Sequence, residues 1–306
     1  MGVIAHRVRA VRNRLSSKPR AESPFGQENQ RYWADRNVTN HQRFVSKEES
    51  LAALAWRNDQ YLFYGDWLPY ESFDNQSGLD FGCGPGHDLV ALHQYANTSG
   101  LIGMDVSTVS VEEAKQRLML HGGQSVRIEA IPEGGKIPLD TSSLDFVISS
   151  GVLHHIFDLD SALSEIHRVL KPGGRLLTMV YNRDSVWAHL YVPYLRQIKS
   201  KIDPGLSFGE AFRRSTDGAD CPKSVCYRPA EFESILADRG FRGGYTGAAI
   251  SVHEMGLLPY RFDAIQDSGL AEEHREFLVR LTFDEFGRPL HEGRVAGIDG
   301  FFEFVT

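Results

Sequence analysis

The sequence predicts an α/β fold, a largely parallel sheet with helices on both faces. Three observations predict it. Short apolar segments alternate with amphipathic ones between Ser77 and Tyr181. The first of them runs into the glycine-rich turn Asp80-Phe81-Gly82-Cys83-Gly84-Pro85-Gly86, and the fourth, Leu144–Ser149, is a near-continuous apolar run around Phe146-Val147-Ile148, as suits a strand buried on both faces. Strand–helix–strand order with right-handed crossovers then builds a parallel sheet.

The elements follow in order. Residues 1–20 hold six basic residues and no acid, so the rest of the chain carries the −13 that leaves a formal net charge of −7. Arginines alternate with apolar residues from Ala5 to Leu15, a pattern open to a short amphipathic helix, and residues 1–24 read as a basic tail. Aromatic residues crowd the stretch Asn29–Tyr70, and Leu51, Leu54, Ala55, Asn58, Tyr61 and Leu62 recur at helical spacing. That spacing predicts a helix over Glu48–Phe63, and residues 25–70 read as an N-terminal helical lid or cap. A strand at Ser77–Phe81 and a helix at Asp88–Tyr95 come next. A strand at Leu101–Met104 leads to a helix at Val109–Leu120 with Ser107 as its N-cap. Strands at Val126–Ala130 and Leu144–Ser149 precede a helix at Ser161–Leu170, which Lys171-Pro172-Gly173-Gly174 stops before a strand at Arg175–Tyr181.

Residues 71–306 are therefore read as one domain with insertions at 184–228 and 251–295. The first insertion holds a helix over Val186–Lys199, and the second holds one over Ala271–Leu281. Pro229 opens a helix through Arg239, either Phe241–Tyr245 or Ala248–Val252 supplies a sixth strand, and Phe301–Val305 closes the sheet.

Composition excludes several classes. Hydrophobic residues at 42% and charged residues at 24% are those of a globular protein, and no apolar run reaches the length of a membrane span. Three cysteines, with no signal-peptide core at the N-terminus, fit a reducing cytoplasm and not a disulfide framework. An acidic body is a poor partner for nucleic acid. Cys221 and Cys226 lack a second Cys/His pair at metal-ligand spacing, so no metal is expected.

The turn carries the chemistry. Glycines there let a ligand approach the backbone at the C-terminal edge of the sheet. A dinucleotide fingerprint needs G-x-G-x-x-G, whereas here the third glycine comes one residue early, which disfavours a nicotinamide enzyme. Asp105 ends the next strand and can accept both hydroxyls of a ribose.

The segments LDFGCGPGHDL, GLIGMDVS, IPLDTSSLDFVISSGVLHH and EIHRVLKPGGRLLTMVYN, in that order over residues 77–182, resemble the class I methyltransferases that use S-adenosylmethionine, in particular the ubiquinone-biosynthesis type. The resemblance implies a Rossmann-like seven-stranded sheet whose last strand is antiparallel. It implies that Asp80, Gly82 and Gly84, with Cys83 and Gly86 on the same turn, surround the methionine part of the cofactor. Asp105, followed by Val106, would hold the ribose. Glu133 and Gly134 stand where the family often has Asp-Ala beside the adenine, a departure in both residues. Ser149 and Ser150 match the strand tip next to the methionine moiety.

Methyl transfer from a sulfonium gains most from in-line alignment in a dry pocket, and a hydroxyl acceptor also needs a base. His154 and His155 follow the fourth strand and are the candidate bases; the alternative is that they pack or cap the loop. Tyr181, Asn182 and Asp184 end the fifth strand at the same edge, and Asp217, His253, Glu254, His291 and Arg294 are further candidates to bind substrate; the alternative for each is a polar group on an insertion surface. The resulting reading is O- or N-methylation of a small molecule. Its rivals are an RNA or protein methyltransferase and a non-catalytic cofactor-binding protein.

Overall fold

A computed structural model describes residues 27–35, 43–132 and 134–306. The basic tail, with its expected helix, and Glu133 lie outside the described residues. Strands β1 (Tyr61–Leu62), β2 (Ser77–Phe81), β3 (Gly100–Asp105), β4 (Arg127–Ala130), β5 (Leu144–Ser150), β6 (Leu170–Tyr181) and β7 (Arg242–Ser251) precede three short ones. These are β8 (Thr282–Phe283), β9 (Pro289–His291) and β10 (Arg294–Val295), which form a small antiparallel sheet before β11 (Asp299–Val305) ends the chain. Among the described residues the main sheet has eight strands, in the order β1-β7-β11-β6-β5-β2-β3-β4. β4, β3, β2, β5 and β6 run parallel, and β11 inserts antiparallel between β6 and β7.

The fold class is as the sequence predicts, with one strand more than the resemblance implies. The extra strand is β1. Tyr61 and Leu62 continue the apolar spacing of the preceding helix, but that helix, Lys47–Asp59, ends early. Phe63 takes a left-handed backbone (φ 64°), and the two residues before it pair with Ser251 and Ile250 at the sheet edge. Tertiary pairing overrides local periodicity here. The two alternatives for the sixth strand merge into one, because Gly247 lets β7 continue beneath Trp67. A Cβ at Gly247 would lie 2.2 Å from the indole ring. The Lys171–Gly174 stretch also belongs to β6 and not to a loop: Leu170 pairs with Leu144, and Gly173 N donates to Thr306 O at 3.3 Å.

The core lies on both faces of the sheet. Leu163, Ile166 and Val169 of the helix Leu159–Val169 pack with Phe232 and Leu236 of the helix Pro229–Ala237 on one face. On the other, Leu89, Val90, Ala114 and Leu118 of the helices His87–Tyr95 and Thr108–Leu120 pack on Phe146 and Leu177. β11 serves both, since Phe302 and Phe304 face the first cluster and Phe301 the second, the alternation of a strand. Ser107 caps the helix Thr108–Leu120 as expected, its hydroxyl accepting Ser110 N at 3.1 Å. Among the described residues no helix is long and apolar enough to cross a membrane.

A wide π-type helix, Trp187–Lys199, lies in the stretch read from the sequence as the first insertion and accommodates Pro193 in its interior. Glu254 ties it to the sheet. This fully buried carboxylate accepts Ser251 N at 2.9 Å and Ser251 Oγ at 2.8 Å, with Trp187 N at 3.3 Å and Ile298 N at 3.4 Å. Burial outweighs these donors and pushes its carboxyl up from 4.5 to about 7. The folded state therefore holds the proton more tightly than the unfolded chain. Stability contributed in acid is lost as pH rises from 4.5 to about 7, a change of roughly 3 kcal/mol. The expected result is a Tm that falls across this window in wild-type protein, with that part of the slope flattened in Glu254→Gln, read by thermal unfolding at a series of pH values.

Candidate active site

The glycine turn is anchored on the end of β3. Gly82 N and Cys83 N donate to Met104 O at 2.7 and 3.0 Å, so the turn leans on the end of β3. Asp105, the last residue of that strand, holds it from the side: one carboxylate oxygen accepts Gly84 N at 2.8 Å, the other Ser107 N at 2.8 Å. Ile131 N donates to the Asp105 carbonyl at 2.8 Å, which brings the segment after β4 alongside. Burial raises the Asp105 carboxyl despite these backbone donors.

Behind the turn stands Asp80, 2% exposed, with Oδ2 unpartnered. Burial, then the nearby carboxylates of Asp88 and Asp105, push it well above the usual range. Arg57 compensates from the helix Lys47–Asp59, donating to Asp88 Oδ1 at 2.8 Å, and the Tyr70 hydroxyl donates to the same oxygen at 2.8 Å. An orphaned buried carboxylate oxygen beside a turn whose Gly84 has nothing within 4 Å of a notional Cβ suits a ligand that brings its own cation. The ammonium and sulfonium of S-adenosylmethionine fit that requirement.

A cavity of about 240 Å³ extends from this turn across the ends of β5, β6 and β11. Gly82, Cys83, Gly84, Asp105, Val106 and Ile131 line it on one side, and Ser150, His155, Met179, Tyr181 and Asp299 on the other. Trp33 of the helix Gln27–Asp35, with Tyr61 and Tyr64, completes the wall. That helix is held down by Asn29, whose side-chain amide donates to His155 O at 3.0 Å, and by the Tyr32 hydroxyl, which donates to Asp217 O.

Not every residue singled out from the sequence faces this space. Gly86 starts the helix His87–Tyr95, and Gly134 is exposed away from the lining. Ser149 points into the core, donating to Phe81 O at 3.1 Å, while Ser150 shares a hydrogen bond of 2.7 Å with Tyr64 at the cavity. Successive strand residues face opposite ways, so one of the two serines must turn inward. The adjacent histidines divide similarly. His154 is 0% exposed, lies off the cavity, packs 4.0 Å from the Tyr181 ring, and has no partner on either nitrogen. His155 lines the cavity, with Nδ1 2.7 Å from Lys223 O. Burial lowers both rings below the usual histidine value. Burial, reinforced by Asp80, raises the Cys83 thiol well above its ordinary range, so it is no thiolate.

Of the other polar candidates, Tyr181 lines the cavity and donates to Asp217 Oδ1 at 3.0 Å. Asn182 is spent on Gly297 O at 3.0 Å, His253 packs against Trp187, and His291 against Phe277. Sequence reasoning passed over Asp299. It opens β11 in register with Tyr181, is 2% exposed, and lines the cavity; no described residue donates a hydrogen bond to its carboxylate. Burial, then Glu254, pushes its carboxyl well above the ordinary range. The available signal was an acid heading the closing strand.

A family model described as a methyltransferase domain matches residues 79–178. The chain is 31% identical over 186 residues to a demethylmenaquinone methyltransferase of Staphylococcus epidermidis, covering 57% of this chain and 73% of that one. It is 29% identical over 168 residues to a ubiquinone/menaquinone biosynthesis C-methyltransferase of Syntrophotalea carbinolica, covering 54% and 68%. An uncharacterised 37.1 kDa protein of a Streptomyces fradiae transposon is 41% identical over 133 residues, covering 42% of this chain but 38% of that protein's length.

Proposed function

This chain belongs to the class I S-adenosylmethionine-dependent methyltransferases, and on that premise we propose that it methylates a small acceptor on oxygen or nitrogen, with a hydroxyl favoured. The observation that carries the reading is Asp299. It is a buried carboxylate that receives no hydrogen bond from the described residues, set in an aromatic wall of the same cavity that Asp105 and the glycine turn enter.

S-adenosylmethionine supplies a methyl carbon made electrophilic by its positive sulfur. The chain's residues supply the rest. Asp105 and the amides of the turn hold the nucleoside end, and Asp80 balances positive charge from behind. Trp33, Tyr61, Tyr64 and Tyr181 exclude water and limit the acceptor to a small, flat molecule. Asp299 takes the proton from the acceptor hydroxyl; its raised pKa makes it a stronger base than an exposed carboxylate. The His155 and Tyr181 rings bound the acceptor's space from the other side.

A second reading, methylation on carbon, is favoured by the name of the Syntrophotalea relative. Product formed from cofactor labelled with ¹³C on the methyl group separates the readings. The methyl resonance of an O-methyl product lies well downfield of that on carbon, and an N-methyl product lies between. Failure to produce S-adenosylhomocysteine with any small acceptor, alongside turnover with RNA or protein, would overturn the small-molecule reading.

The cofactor half has its own test. Asp105→Ala removes a charged acceptor from Gly84 N and Ser107 N and leaves the ribose unheld. Each such hydrogen bond is worth roughly 1.5–3 kcal/mol, so cofactor Kd should weaken by about a hundredfold or more in calorimetry. An unchanged Kd would remove Asp105 from the site.

A further inference from the structure

Behind the wall formed by His155 and Tyr181, three donor atoms of different chemistry converge. His155, Asp217 and Cys221 each offer one ligand atom, and these atoms lie within 4.8 Å of one another. His155 Nε2 is 3.7 Å from Asp217 Oδ1, with the side chains 5% and 0% exposed. They come from three places: the turn after β5, the C-terminal end of the helix Phe208–Thr216, and the loop that follows it.

Hydrogen bonding decides what each presents to the others. His155 Nδ1 lies 2.7 Å from the Lys223 carbonyl, which can only accept, so Nδ1 carries the proton and a neutral ring turns its Nε2 lone pair toward Asp217. Asp217 takes the Tyr181 hydroxyl on Oδ1 at 3.0 Å and the Thr216 hydroxyl on Oδ2 at 2.7 Å. Among the described residues no lysine or arginine pairs with this fully buried carboxylate. A lone pair therefore faces a carboxylate oxygen in a dry site.

An imidazolium would cure the mismatch, but charge-assisted N–H···O contacts close to about 2.7–2.9 Å, and this gap is 3.7 Å. The separation suits a bridged pair better. Nitrogen and oxygen ligands on a tetrahedral zinc, each about 2.0–2.2 Å from the ion, stand roughly 3.4 Å apart. A backbone carbonyl that fixes the tautomer of His155 is also the usual support of a metal-bound imidazole.

We propose that His155, Asp217 and Cys221 form a zinc-type divalent cation site, whose fourth position takes a water carried in with the ion. One imidazole, one carboxylate and one thiolate are a borderline-soft set that selects zinc over magnesium or calcium. Binding releases the thiol proton of Cys221, whose Sγ otherwise stands 3.3 Å from Lys223 O, to solvent. Spacing along the chain conceals the site, because the histidine lies far upstream of the cysteine. The proposal does not depend on which acceptor is methylated, and its test reads metal and not turnover.

Full-length protein is stripped with chelator, titrated with cobalt(II) as the probe, and followed by absorption. The expected result is about one cobalt per chain, with a near-ultraviolet thiolate-to-cobalt band and tetrahedral visible bands, displaced by about one zinc. Cys221→Ser should abolish the thiolate band and Cys226→Ser should keep it. Asp217→Asn should keep the thiolate band but bind at least about tenfold more weakly, which covers the case in which the serine variant does not fold. Absence of a thiolate band in wild-type protein would overturn the site. So would a band that survives Cys221→Ser, or an affinity unchanged in Asp217→Asn.

Discussion

Asp299→Asn is expected to lower kcat by roughly two to four orders of magnitude, the usual contribution of a positioned general base, while cofactor Kd stays within about threefold. The substitution keeps the shape and removes the charge. In a merely structural role it should do little harm. The carboxylate has no described hydrogen-bond donor to lose, and burial with Glu254 nearby already disfavours its ionised form. An amide there should leave Tm unchanged or raise it at neutral pH. Loss of turnover with no loss of stability is thus the signature to look for in parallel rate and thermal measurements.

The pH profile sharpens the test. A base must be unprotonated to act, so kcat should fall as pH drops through the pKa of Asp299. Because burial raises that pKa, the acid limb should stand well above the range of an exposed aspartate. Asp299→Asn should flatten it. An amine acceptor that binds unprotonated needs no base, so a variant with near-normal kcat would move the proposed chemistry from oxygen to nitrogen.

The second large effect is at the turn. Gly82→Ala should cost roughly 2–4 kcal/mol of stability and abolish measurable cofactor binding at micromolar concentrations. Two causes add. Gly82 has φ +82°, which an L side chain adopts at about 1–2 kcal/mol, and its Cβ would lie 2.3 Å from Val152 Cγ2. Val152 lines the cavity, so relief of the clash pushes either the turn or the wall out of place. The double variant with Val152→Ala separates the causes. It should recover the overlap part of the stability and not the backbone part, as read by denaturant unfolding.

Much of this architecture was legible in the sequence for a physical reason. Strands β2, β3 and β5 are buried on both faces, so they read as short continuous apolar runs between capping and turn residues, and their limits fell within a residue or two. The place of Asp105 at the cavity was legible because a strand tip beside a glycine turn lies at the ligand edge of a parallel sheet. Asp299 was not. Its place in the cavity depends on β11 entering antiparallel between β6 and β7, which aligns it with Tyr181, and that register is a tertiary fact. Asn29 was hidden for the same reason and Trp33 was legible only as part of an aromatic lid, since a helix more than a hundred residues upstream of His155 reaches it only through folding. The His154–His155 pair was ambiguous because both rings share a three-residue turn that can offer only one of them to the cavity.

The two outer strands of the main sheet have a consequence for crowded solutions. β1, at one margin, is two residues long; β4, at the other, is four, and carries Arg127 and Glu129 paired at 2.6 Å. A margin that short, or that charged, offers a neighbouring molecule little ladder to extend. Among the described residues, neither margin presents a long run of unpaired amides on which another chain could extend the sheet.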